Sequence, residues 1–424
     1  MPLRLPRRLA GSRLIPSLVG LCAIGSLATG VLPAAGSVPA AADHRHPPAR
    51  SERLFADPES TTAQHAAELS GQQRRDALRL AAVPTASWFT GGTPAEARER
   101  ARALVRRAQR AHATPVIVVY NVPGRDCSLY SAGGASTTAE YVAWVQALAR
   151  GIGGHRAIVV VEPDGLGTIP WYTDVNGQLG SCQPADADRA TAAADRFAQI
   201  GAAVDALTAL PRTRVYLDAT NPGWLSPGDI AQRLRRAGVD RADGFALNVS
   251  NYYDDARNAY YASWVSDCLQ LTGHSNYPYA SCPGQYYPAN PDDLSTWPLT
   301  TAAYDQAFAD TGVTRDPAHQ AHAVVDTSRN GQGAWQAPAG LYPDPQNWCN
   351  PPGRGLGARP TTAVDDPYID ADLWIKVPGD SDGQCYRGTA GPDDPARGYA
   401  DPAAGDWFPQ MARELIANAN PPLR

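Results

Sequence analysis

Lysine is almost missing from this 424-residue chain: Lys376 is the only one, and every other basic side chain is arginine. A background that has replaced lysine nearly everywhere makes that survivor a candidate functional residue. A surplus of positive charge is missing too. Lys and Arg total 37 against 42 Asp and Glu, a formal net charge of -5, so general nucleic-acid binding is not expected. Beyond the N-terminal leader no stretch approaches the roughly 20 apolar residues of a membrane span. No GxGxxG follows the first expected strand and no Walker A pattern occurs, which argues against nucleotide binding. There is no CxxC or HxxxH cluster and no EF-hand loop, so neither a metal nor another cofactor is expected. The 38 Gly and 38 Pro show no triplet period, which excludes collagen and leaves long structured loops.

What is present suits a large folded protein. The chain is 43% hydrophobic and 19% charged, enough apolar material for a sizeable core. Residues 1–42 read as a signal peptide: Arg4, Arg7, Arg8 and Arg13 precede an apolar stretch over 14–32, with small residues at Ala40, Ala41 and Ala42. The rival reading, a membrane anchor, is weakened by Pro16, Gly20, Gly25, Ser26 and Gly30. Paired Arg7 and Arg8 suit a twin-arginine route. The protein is therefore expected to be secreted, extracellular and free of the membrane once the signal is removed. Residues 43–80 read as a flexible leader, with a short helix near 63–69, and 81–424 as the catalytic domain. Cys22 falls in the signal. Cys127, Cys182, Cys268, Cys282, Cys349 and Cys385 remain, an even set suited to disulfides in an oxidising compartment, although spacing leaves their pairing open.

From residue 94 onward helical and apolar segments alternate. Helices are predicted over 94–111, 137–151, 185–210, 227–237 and 301–308, and strands over 116–120, 157–161, 215–217, 244–249 and 323–325. Such βαβ repetition implies a parallel sheet, either a barrel or an open doubly wound sheet, with the working site at the carboxyl ends of the strands. Acidic and amide residues recur there: Asp126 after one strand, Glu162 and Asp164 after the next, then Asp218 with Asn221, Asn248 with Asn251, and Asp326. A late segment adds Asp380 and Asp382.

Any one of these can be a helix cap or an Asx-turn. Several converging on one mouth raise the cost of ionising them all, and one carboxyl escapes by staying protonated. A protonated acid beside an ionised one is what glycosidic cleavage requires. Calcium or magnesium is the competing use of such a cluster, but the neighbours here are Trp, Tyr and Arg. Trp88, Trp224 and Trp348 lie beside loop segments and suit stacking on sugar faces, whereas Trp144 sits in a predicted helix and reads as core.

In this order the motifs resemble glycoside hydrolase family 6, the inverting cellulases that include endoglucanases and cellobiohydrolases. The similarity runs from Trp88 to the C-terminus. It rests on Gly-Arg-Asp-Cys (124–127), Val-Glu-Pro-Asp (161–164), Tyr-Leu-Asp-Ala (216–219) and Asp-Thr-Ser-Arg-Asn-Gly (326–331). Trp-Cys-Asn (348–350), Gly-Ala-Arg-Pro-Thr (357–361) and Trp-Ile-Lys-Val-Pro-Gly-Asp-Ser-Asp-Gly (374–383) complete it. The resemblance implies a distorted, incomplete β/α barrel of fewer than eight parallel strands. It also implies disulfides Cys127–Cys182 and Cys349–Cys385, leaving Cys268–Cys282 as an additional bridge. By the same resemblance Asp164 is the general acid, Asp126 the carboxylate that raises its pKa, and Asp382 the proposed base. Asp218 supports substrate and neighbouring charge, Tyr120 crowds the sugar at the cleavage point, and Arg125 steadies the carboxylates. Lys376 and Asp380 match sugar-binding positions, and Trp88, Trp224 and Trp348 match stacking platforms. Thr220 and Asn221 stand where the family often has Gly and His, and Gly165 where Ser is common.

The expected partner is a β-1,4-glucan, cut internally by a monomeric enzyme. A cellobiohydrolase acting from chain ends is the alternative. A non-catalytic glucan-binding protein would be marked by loss of Asp164 or Asp126, and both are present. With neither a Ser/Thr/Pro linker nor a separate binding module in the sequence, crystalline cellulose is expected to be a poorer substrate than soluble glucan.

Overall fold

The computed structural model describes residues 52–423, so the expected signal peptide and residues 43–51 lie outside the described residues. Seven strands form one sheet: β1 (Ser87–Phe89), β2 (Val116–Val119), β3 (Ala157–Val161), β4 (Thr213–Asp218), β5 (Gly244–Leu247), β6 (His322–Asp326) and β7 (Ile369–Leu373). They pair in sequential order, each parallel to the next. No ladder joins β7 to β1 among the described residues. Instead Ala86 N donates to Trp374 O at 2.9 Å, and the Trp88 indole donates to Ile375 O at 2.8 Å. The sheet thus curls into the incomplete barrel that the motifs imply.

Strands β2 and β3 read as unbroken apolar runs because both faces are covered. Val116, Val118, Ile158, Val160, Tyr216 and Val324 point inward and fill the barrel. Their neighbours Ile117, Val119, Val159, Val161 and Leu217 pack outward beneath the helices. At roughly 1.5–3 kcal/mol for each fully buried aliphatic side chain, these two layers outweigh any single polar contact in the fold.

The connecting helices are α1 (Thr61–Glu68), α2 (Gly71–Ala81), α3 (Pro94–Arg110), α4 (Thr138–Ile152), α5 (Ala192–Thr208), α6 (Pro227–Ala237), α7 (Asp255–His274), α8 (Pro298–Thr311) and α9 (Pro409–Ala417). Local chemistry sets their starts. Thr93 and Glu96 form a reciprocal capping box before α3, and Pro94 occupies its first turn. Ser226 caps α6 ahead of Pro227, its Oγ accepting Asp229 N at 3.4 Å. No helix among the described residues is long and apolar enough to cross a membrane.

The structure departs from the sequence reading in three respects. Residues 52–80 are not a flexible leader: Leu54 bridges to Thr114 and enters the barrel core, and α1 and α2 bury Ala66, Ala77 and Leu80. Arg107 grips Asp57 through two hydrogen bonds of 3.0 and 2.7 Å. The polar composition of this stretch belongs to its outer face. Helix α5 begins at Ala192 rather than 185, because Asp188 makes a turn that receives Ala190 N on its side chain and Ala192 N on its carbonyl. Strands β1 and β7 and helices α7 and α9 are additions. β7 escapes an apolar-run reading because Asp370 interrupts it, accepting from Tyr216 OH at 2.6 Å and meeting His322 Nδ1 at 2.7 Å. The three disulfides are Cys127–Cys182, Cys268–Cys282 and Cys349–Cys385, with Cα separations of 5.7, 5.8 and 5.8 Å.

Candidate active site

At the carboxyl ends of the strands the backbone turns sharply through non-glycine residues in the left-handed region. They are Asp126 and Cys127 (φ 60° and 49°), Glu162 and Asp164 (51° and 60°), Thr220 (64°), Asn248 (64°) and Ser250 (59°). Each such residue costs on the order of 1–3 kcal/mol, least for Asp and Asn. A second set of buried carboxylates holds these turns. Glu162 accepts Asn121 N at 3.0 Å and Val122 N at 3.2 Å. Asp218 Oδ1 accepts Asp164 N at 3.0 Å and Thr220 N at 3.1 Å. Asp326 receives the amides of Ser250, Ser328, Ile375 and Lys376 at 2.9–3.2 Å. These acids are committed to the backbone. Asp126, Asp164 and Asp382 instead face one cleft of about 710 Å³.

The three cleft carboxyls sit in different electrical surroundings. Burial pushes the Asp164 carboxyl well above its ordinary range, and the charges of Asp218, Asp126 and Asp382 push it further. Among the described residues its side chain has no hydrogen-bond partner, so a proton there is free to be given away. Burial also raises Asp126, although Ser131 N, donating at 2.6 Å, and Arg125 oppose the rise. Burial would raise Asp382 as well, but Arg329 and Lys376 outweigh it and hold this carboxyl below its usual range. Arg329 Nη1 lies 2.9 Å from Asp382, the Lys376 ammonium 3.2 Å, and Tyr252 OH donates at 3.0 Å. Asn350 N adds a further bond of 3.0 Å. One acid holds its proton and the other keeps its charge.

Of the residues expected at the site, Asp126, Asp164, Asp382, Trp88, Tyr120, Asn221, Trp224, Asn251, Trp348 and Lys376 line the cleft. Trp88 sits in β1 rather than in a loop, edge-on to Tyr120 at 5.4 Å. Trp224 and Trp348 are each 37% exposed, unusual for indoles in so well-packed a molecule. Close approach fixes Trp224 and Tyr253: a Cβ on Gly167 would lie 2.4 Å from the Trp224 ring, and one on Gly223 1.7 Å from Tyr253 OH. Cys127 and Cys182 also reach the cleft wall, and their bond ties together the two loops that carry Asp126 and Thr168.

Three expected site residues stand behind the wall. Asp218 is buried, pushed up to about 7 chiefly by burial, and acts through the Asp164 amide. Among the described residues Arg125 makes no ion pair with a carboxylate, although its charge favours the ionised form of Asp126. It donates to the carbonyls of Thr90, Tyr120 and Ser131 at 2.8 Å and lies 4.7 Å from the Tyr120 ring centroid, so it also holds that tyrosine. Asp380 is 8% exposed, is raised to about 7 by burial, and does not line the cleft. Lys376 does line it, but its ammonium is bound to Asp382 and, at 3.0 Å, to Ser381 O. Asn221 also splits its roles: its Oδ1 closes an Asx-turn with Gly223 N at 3.0 Å, and its amide nitrogen is left for the cleft.

Sequence reasoning did not single out Arg329, Tyr252 and Asn350, which set the charge of Asp382, or Trp335, which lines the cleft. Arg329 and Asn350 lie inside motifs already quoted, so their signal was there. Tyr252 and Trp335 stand in aromatic-rich loops with nothing local to mark them.

A curled β/α half-barrel whose cleft pairs a proton-holding carboxyl with an ionised one, between exposed indoles, has the architecture of a glycoside hydrolase. The family model for Glycosyl hydrolases family 6 matches residues 49–419, and the chain belongs to that family. It is 32% identical over 372 residues to endoglucanase A of Thermobispora bispora, which covers 87% of this chain but only 63% of that relative. Among solved structures it is similar to an endoglucanase of Mycobacterium tuberculosis in complex with a methyl-cellobiosyl-thio-cellobioside, at a TM-score of 0.63 and 32% identity, covering 87% of this chain and 97% of that one. It is also similar to cellobiohydrolase II of Humicola insolens in complex with glucose and cellotetraose, at a TM-score of 0.61 and 25% identity, covering 88% and 98%.

Proposed function

We propose that this protein is a secreted β-1,4-glucanase that cuts internal bonds of cellulose or a related β-glucan with inversion at the anomeric carbon. The observation that carries the reading is the Asp164 carboxyl, held protonated and without a hydrogen-bond partner among the described residues, in a cleft between exposed indoles. Asp164 gives its proton to the glycosidic oxygen as the C–O bond breaks, and the departing chain leaves as an alcohol. A water molecule adds to the anomeric carbon from the opposite face, and its proton leaves toward Asp382. With Arg329 and Lys376 beside it, Asp382 stays anionic. It faces the positive charge that develops on the sugar and receives the water's proton late, directly or through a second water. Inversion requires the two carboxyls about 6.5–9.5 Å apart so that water fits between them.

Two features support internal cutting. The segments 168–187 and 383–406, the candidates to roof the cleft, each fold back on themselves through turns at Asp174 and Asp394. Among the described residues no hydrogen bond or ion pair joins one to the other across the cleft. Trp224 and Trp348 accordingly stay exposed. Similarity to the Humicola cellobiohydrolase favours the second reading, release of cellobiose from chain ends. The basic start and apolar run of the leader support export.

The test is a proton NMR time course on cellohexaose with wild type and Asp164→Ala. Internal cleavage and newly formed α-anomers are expected from wild type, and a loss of roughly 10²–10⁴-fold in rate from the variant. Rapid thinning of carboxymethyl cellulose reports endo action, whereas cellobiose release at constant viscosity reverses that part. Wild-type-like turnover in Asp164→Ala removes the acid assignment.

A further inference from the structure

We infer that Trp335, which is not among the tryptophans that the family resemblance marks as platforms, supplies an additional sugar-stacking site on the lip formed by residues 334–348. The inference rests on the glucan reading above. Trp335 and Trp348 both line the cleft, and the loop between them is closed at its base. Asn347 Oδ1 accepts Ala337 N at 3.1 Å, and its Nδ2 donates to Gln336 Oε1 at 3.1 Å. The two indoles therefore stand at the two ends of one stapled loop, on the same side of the cleft.

Arg387 makes the lip rigid. Its guanidinium is fully buried, forks onto Asp394 at 2.7 and 2.9 Å, and donates to the carbonyls of Pro345, Gln346 and Cys349 at 2.7–2.9 Å. It also lies 4.8 Å from the Trp335 ring centroid. Tyr342 leans on Trp335 at 6.3 Å between centroids. Because Arg387 has no exposure, the face of Trp335 that it covers is turned into the protein, and the ring's accessible part is the one at the cleft. A ring held in this way loses little freedom when a ligand arrives. Its apolar face matches the C–H face of a β-linked glucose unit, and stacking removes both from water. An indole serving only to plug the loop would have no reason to keep a surface on the cleft.

The experiment uses the Asp164→Ala background to stop turnover, with calorimetric titration of cellobiose, cellotetraose and cellohexaose. Trp335→Ala is expected to weaken cellohexaose roughly tenfold, the scale of one aromatic contact, and cellobiose less than twofold. Trp335→Phe keeps a ring and is expected to restore most of the binding. Should the alanine variant fail to fold, Trp335→Leu replaces it, keeping bulk without a ring. No change, or an equal loss at every chain length, overturns the platform while leaving the glucan reading intact. If the parent binds none of the three sugars and wild type cleaves none of them, the glucan reading fails and the platform with it.

Discussion

Asp164 and Asp382 share a cleft and one chemistry of side chain, yet their neighbours drive them in opposite directions. On the proposed mechanism activity requires Asp164 protonated, so the rate is expected to fall as pH rises through its elevated pKa. It requires Asp382 ionised, so the rate also falls in acid, below the ordinary carboxylate range. Because Asp164 and Asp218 interact, the alkaline limb belongs to the pair and lies above the ordinary carboxylate range. Asp218→Asn keeps an acceptor for the Asp164 amide but removes the neighbouring charge. The alkaline limb of kcat/KM should then move to lower pH while the acid limb stays. Lys376→Ala should do the complementary thing, taking a cation from Asp382 and moving the acid limb to higher pH. Two unmoved limbs would sink both assignments. The lone lysine was visible from composition, but its purpose was not. A sugar ligand was expected; the ammonium stands in the cleft and also pairs with Asp382, a contact between residues close in sequence that only the fold of the 376–382 turn discloses.

The disulfides differ in what they hold. Cys268–Cys282 joins α7 to the segment after it across 14 residues, away from the cleft. Cys127–Cys182 closes 55 residues and sets the loop in which Asp126 adopts its left-handed turn. By loop closure the two stabilise by roughly 3 and 4 kcal/mol. Replacing Cys268 and Cys282 by Ser should lower the thermal midpoint and leave kcat near wild type. Replacing Cys127 and Cys182 should lower both, and an active, merely less stable protein would contradict the tie between this bond and Asp126. Among the secondary elements, legibility tracked periodicity. β2 and β3 announce themselves by unbroken Val and Ile. β1 is too short, β7 carries Asp370, which the barrel pairs internally, and α7 buries side chains around most of its girth.

Across the molecule, several buried acids are raised to about 7 by burial: Glu162, Asp218, Asp372, Asp380 and Asp401. Each binds its proton more tightly folded than unfolded, so its contribution is fully present below the unfolded carboxylate range, near 4. It declines as pH rises to about 7. Asp382, with its lowered value, contributes in the opposite sense but only in stronger acid. The thermal midpoint is therefore expected to be higher at pH 5 than at pH 8. Calorimetry showing a flat or rising trend would mean that these acids ionise freely in the native state.

Apolar period and strand-end acids, read along the chain, were enough to mark a parallel β/α fold, and the ordered motifs gave by resemblance its incomplete barrel and its family, because both are written in local spacing. Which carboxylates face solvent and which are tied to backbone amides was settled only in three dimensions. Asp126, Asp164 and Asp382 look no different in sequence from Glu162, Asp218 and Asp326. Burial and the partners brought by distant loops, Arg329 and Tyr252 above all, separate the acids that face the cleft from those that hold the fold.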